Sequence, residues 1–216
     1  MQSSLEELLR FCVPELPGAP DSIIVNALND ASTKLCRESG CWNTWVDVPL
    51  ISGQSEYAIT PPETYSRVFT IRKALFNGRE FRPTPADQLV AVNPAMFEQT
   101  GTPTTYWISS INNISVLPIP SQTDEGRTIK LRVTWTPTSR SSTFDSELME
   151  RYMDALVSGA KSKLMRQPGQ TWSNPQLSAY YEQQQVIEVG KARIDQMHDM
   201  TVGSLKTTPR AFGRSN

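Results

Sequence analysis

Thr128-Ile129-Lys130-Leu131-Arg132-Val133-Thr134-Trp135 is the stretch on which the fold turns. Ile129, Leu131, Val133 and Trp135 alternate with Thr128, Lys130, Arg132 and Thr134. That period of two belongs to a strand buried on one face. Upstream, from Trp45, the same character recurs in short runs: Val46 to Leu50, Ser55 to Ile59 and Arg67 to Leu75. Asn77-Gly78 predicts a two-residue hairpin turn joining Leu75-Phe76 to the Arg79–Arg82 run, because type I′ turns need positive φ at both central positions. Thr104 to Ile108 and Ile114 to Leu117 add further strands, and Thr84-Pro85 opens a short helix. Short antiparallel strands separated by turns predict a sandwich or small barrel.

On both sides of this region the period lengthens to that of a helix. Leu5, Leu8, Leu9 and Cys12 predict a short helix over 3–13. Ile24, Ala27, Leu28, Ala31 and Leu35 predict a helix capped by Asp21 and stopped by Gly40. Trp42 and Trp45 follow, and both are expected as core anchors where helix meets sheet. After the strands, Asp145 caps a helix that ends at Pro168-Gly169. Asn174-Pro175 opens a last helix running to about Met197, with Leu177, Tyr181, Ile187, Ile194 and Met197 as its apolar marks. Gln183-Gln184-Gln185 interrupts that stripe, so one stretch is expected to face water or a polar contact.

The fold class read from this order is α+β. Terminal helices form a helical bundle domain (1–44 and 138–200), with a β-rich insertion (45–137) and an extended C-terminal tail (201–216). The tail lacks periodicity, and carries Lys206, Arg210 and Arg214 with no acid.

Composition narrows the function. A hydrophobic share of 38% in 216 residues suits a chain that completes its burial through partners. Net charge is −1, which gives no bulk attraction for nucleic acid. Three cysteines without Cys-x-x-Cys spacing predict free thiols and a reducing compartment. The acidic N-terminus reads as no signal peptide, and no run approaches a membrane span.

Catalytic chemistry finds little to use. His198 is the one histidine, placed at a helix end, and no phosphate loop, nucleophile elbow or zinc motif is present. Asp47 is the best-placed acid but reads as the polar face of a strand. Cys36 and Cys41 read as buried thiols. Arg79, Phe81 and Arg82 could interleave charge with a ring for single-strand binding, though a charged sheet edge is the more usual reading. No catalytic, cofactor or metal residue is expected, and the chain is read as not an enzyme. The competing reading is a hydrolase that attacks cell-wall glycan through acidic residues.

The opening Leu5-Glu6-Glu7-Leu8-Leu9-Arg10, then Pro14 to Pro20, Ile24 to Trp42, Trp45 to Leu50 and Tyr57 to Pro62, resembles tailed-bacteriophage head-to-tail adaptor proteins. The helix–β–helix plan is similar to that of the tail tubular protein A-like gatekeepers and adaptors of short-tailed phages. The resemblance implies a virion protein: a homo-oligomeric, dodecameric ring beneath the portal protein, bound to a tail nozzle or tail tube protein. Genomic DNA would pass through its lumen without sequence-specific binding, and no membrane would be involved. It points to the tail residues Leu205, Lys206, Arg210, Phe212 and Arg214 as portal-binding. Tyr180, Tyr181 and Gln184, on a helix that is only partly apolar, are expected at a subunit interface, where tyrosine is enriched.

Overall fold

The computed structural model describes residues 2–92 and 94–198. In chain order its elements are β1 (Gln2–Ser4), α1 (Leu9–Cys12), α2 (Asp21–Ser39), β2 (Asn43–Pro49), β3 (Glu56–Ala58), β4 (Ser66–Phe76), β5 (Arg79–Glu80), β6 (Arg82–Pro83) and α3 (Ala86–Val92). Then come β7 (Thr100–Gly101), β8 (Thr105–Ser110), β9 (Asn113–Leu117), β10 (Ile119–Pro120), β11 (Thr128–Pro137), β12 (Thr143–Asp145), α4 (Ser146–Arg151), α5 (Met153–Met165) and α6 (Pro175–Met197). Short 3-10 turns flank α1 on both sides.

Two four-stranded sheets, ordered β2-β11-β4-β5 and β3-β9-β8-β6, supply most of the strand pairing. β11 is central to the first and runs antiparallel to both β2 and β4. Its first half alternates as expected: Ile129 and Leu131 are buried, and Lys130 is exposed. From Val133 to Pro137 every residue is buried. The change comes from α2, which packs against β11 and also against α5 and α6.

The expected bundle with a β-rich insertion is therefore corrected. Among the described residues six α-helices mix with several sheets, and one continuous core runs through both kinds of element. Leu28, Leu156 and Ala192 of the helices belong to the same buried cluster as Leu131, Tyr106 and Val116 of the sheets. The N-terminus departs too. Gln2–Ser4 is a strand, paired antiparallel with Thr143–Asp145. Ser4 still caps the turn that follows, accepting from the Glu6 N–H at 3.2 Å, and Asp145 caps α4, accepting from the Leu148 N–H at 3.1 Å, while strand pairing satisfies the backbone groups of the two segments. Trp42 is buried and meets the Phe144 ring edge-on at 5.6 Å. Trp45, expected in the core, is half exposed on β2 opposite Arg132.

Local signals fared better. Gly40 ends α2 with φ 65°, its N–H donating to the Cys36 carbonyl at 2.9 Å. The Arg72 guanidinium lies where a Gly40 side chain would start, and donates to the Ser39 carbonyl at 3.1 Å, against the negative end of the helix. Asn77 and Gly78 both have positive φ, 52° and 73°, and Phe76 pairs with Arg79. Nothing lies within 4 Å of where a Gly78 side chain would begin, so the cost of Gly78→Val is set by the positive φ. The variant is expected to lose about 1–3 kcal/mol of stability. An unchanged melting temperature would remove the turn from the account.

Candidate functional site

α6 is set by its ends. The Asn174 side chain accepts from the Leu177 N–H at 3.1 Å, with Pro175 in the first helical position. Along its length the helix inverts the usual rule. Ser178, Gln185, Val189, Ala192 and Gln196 face inward, while Leu177, Val186, Ile187, Ile194 and Met197 face out. Small groups opposite make this possible. A side chain at Gly159 of α5 would start 2.0 Å from the Gln185 amide, so α5 and α6 approach closely there. The inward polar groups find partners. Gln185 accepts from Lys34 at 3.0 Å, Ser178 donates to the Ser162 carbonyl at 2.8 Å, and Gln196 accepts from Asn43 at 2.6 Å.

Between α5 and α6 lies a groove of about 240 Å³, lined by Asp154, Val157, Ser158, Lys161, Tyr180, Tyr181, Gln184 and Glu188. All three residues expected at a subunit interface are thus brought together. Tyr180 is half exposed and meets Tyr181 edge-on, with ring centroids 5.3 Å apart. Lys161 forms the buried floor. Its Nζ donates to Glu15 at 2.7 Å and stands 5.1 Å from the centre of the Tyr181 ring. The Tyr181 hydroxyl donates to the same Glu15 carboxylate.

The charges in this corner are settled internally. Burial pushes the Tyr181 hydroxyl up to about 12, helped by its hydrogen bond to Glu15 and that group's negative charge. Burial also acts upward on Glu15, but hydrogen bonds from Lys161 and Tyr181 outweigh it and hold the carboxyl below its usual range. Burial raises the neighbouring Cys12 thiol to about 11. Lys161, Glu15 and Tyr181 thus tie α5, the N-terminal arm and α6 together, and the groove keeps a mixed aromatic and polar lining suited to protein contact. Nothing in the sequence pointed to this tie, because Glu15 stands 146 residues from Lys161.

The other residues singled out from the sequence fall elsewhere. Asp47 is exposed on β2, opposite Lys130. His198 follows α6, its N–H donating to the Ile194 carbonyl at 3.2 Å. Cys36 and Cys41 are buried free thiols, and burial pushes Cys36 well up. Phe81 is buried and stacks on Tyr106 at 5.2 Å, so it is a core ring; Arg79 and Arg82 beside it are exposed. The fold already uses that ring, which leaves no free face for a base. Leu205, Lys206, Arg210, Phe212 and Arg214 lie outside the described residues. Among the described residues no group of three or more His, Cys, Asp or Glu side chains is placed to hold a metal ion, and no helix is long and apolar enough to cross a membrane.

No protein-family model matches the chain, and no curated protein matches it.

Proposed function

We propose that the chain is a structural virion protein, a head-to-tail adaptor that forms a ring between portal and tail and lines the DNA passage. The observation that carries the assembly part is the groove itself, where Tyr180, Tyr181 and Gln184 come together on an accessible face. Tyrosine offers a large contact area for little lost side-chain freedom, and a partly polar rim suits a contact that must first exist in water. The attribution to a phage connector rests on the resemblance carried by residues 5–62. On this reading Leu205, Lys206, Arg210, Phe212 and Arg214 meet the portal. An extended segment gains main-chain hydrogen bonds along a partner's groove or sheet edge, and its alternate side chains give selectivity. The protein performs no catalysis; its work is to join two assemblies and leave an open channel.

Sizing the purified chain alone and with the portal protein tests this reading. The expected result is a ring-sized complex in the presence of portal, lost or weakened at least tenfold when Tyr180 and Tyr181 are both changed to Ala. Normal assembly of that double variant would take the groove out of the interface, and failure of the wild type to bind portal would overturn the adaptor reading.

A further inference from the structure

The outward side of α6 is a different surface from the groove. On a helix with 3.6 residues per turn, Ala179, Gln183, Val186, Ile187, Gly190, Ile194 and Met197 fall on one side, and none of them is charged. Val186, Ile187, Ile194 and Met197 are 57%, 51%, 57% and 66% exposed. Large apolar side chains normally gather on the inward face of a surface helix, and here they gather on the other. They present on the order of 400 Å² of apolar surface, against roughly 800 Å² that each partner contributes to a standard interface. Gly190 sits among them with nothing within 4 Å of where its side chain would begin, which leaves a notch in the stripe.

The charges at the edges of this face are mostly committed within the chain. Glu182 pairs with Arg166, Glu188 with Lys191, and Asp195 receives Tyr152 and lies 4.0 Å from Arg151. Arg193 stands exposed beside the apolar stripe. The N-terminal arm shows the complementary character. Phe11, Val13 and Ile23 are 36%, 45% and 37% exposed. Around them Glu6, Glu7 and Asp21 are exposed acids with Arg10 as the one base of residues 5–30, while Glu15 and Asp30 already pair with Lys161 and Lys163.

We infer that the outward face of α6 docks on the N-terminal arm of a second copy of this chain. The stripe around Gly190 receives the exposed Phe11–Val13 segment, and Arg193 faces the exposed acids Glu6, Glu7 and Asp21 of the arm. The contact is heterologous, because two different surfaces of each copy are used. It can therefore repeat from copy to copy. It rests on the ring reading in that one respect, and it names which surfaces meet.

Two single variants and their mixture provide the test. Gly190→Arg fills the notch with a charge from a Cβ that has nothing within 4 Å, and replacing a helical glycine raises helix propensity. Its melting temperature is expected at or above that of the wild type, so loss of assembly cannot be ascribed to misfolding. Val13→Arg alters the opposite surface at an exposed position. Each variant alone is expected to weaken self-association at least tenfold, read by sedimentation of the full chain across a concentration series with portal present. Mixed, they should form one-to-one pairs and nothing larger, since each retains the surface the other lacks. Pairs in the mixture support the inference. Undiminished assembly of Gly190→Arg, or two impaired variants that fail to pair when mixed, overturns it while leaving the ring reading intact. A wild type that stays monomeric and does not bind portal overturns both.

Discussion

Gly159→Leu is expected to lower the melting temperature by about 10 °C, a loss of about 3–5 kcal/mol. The cause is steric and can be located. A side chain at Gly159 begins 2.0 Å from the Gln185 amide nitrogen and 2.9 Å from Ala31 Cβ. The glutamine could swing aside, but only by giving up its contact with Lys34. Ala31 has no rotamer to change, so α2 itself must move away from α5. Separating those helices opens the packing along Leu28, Ala155 and Leu156, all fully buried. Gly159→Ala should show the same effect at smaller scale, partly offset by about 1 kcal/mol of helix propensity. Thermal unfolding of both variants gives the comparison. A Gly159→Leu protein that melts with the wild type would mean that the three helices do not cross at Gly159.

Trp135→Ala is expected to cost about 3–5 kcal/mol. The ring is fully buried on the half of β11 that lies between sheet and helices, and its Nε1 donates to the Thr44 hydroxyl at 2.8 Å. Trp135→Phe keeps most of the apolar contact and loses the hydrogen bond, so it should cost about 1–2 kcal/mol. The shape of the transition is as informative as its midpoint. With one core running through both sheets and helices, Trp135→Ala should shift a single transition. A helical transition that stays in place while a β transition moves would restore the separate bundle that this structure replaces.

Features held by near neighbours were legible in the sequence. Asn77-Gly78 selects its turn by its own φ preferences, Asn174-Pro175 starts α6 by local capping, and Gly40 stops α2. What escaped reading depends on distant partners. Gln2–Ser4 becomes a strand only because Thr143–Asp145 lies alongside it. The inversion of α6 depends on Gly159, far away in sequence, giving Gln185 room. A signal was nevertheless present: Ser178, Gln185 and Ala192 stand seven residues apart, a small and polar stripe that can serve close helix packing as well as water. Reading the large apolar residues as the inward face hid it. Trp45 shows the same limit, since a strand residue's face is fixed by register, and its register places it opposite Arg132. At the candidate site, Tyr180, Tyr181 and Gln184 were legible as a group because they are neighbours on one helix. The Glu15–Lys161–Tyr181 tie beneath them was not, because it joins three separate segments.

The most direct test of the connector reading is the number of copies that bind one portal assembly, measured as the mass of the complex formed from purified full-length chain and portal-bearing capsids. The account predicts a closed ring of copies on each portal, dodecameric as the resemblance implies, and no bound species on capsids lacking portal. Capsids that gain no mass at any protein concentration, or that bind the chain equally well with and without portal, would contradict it.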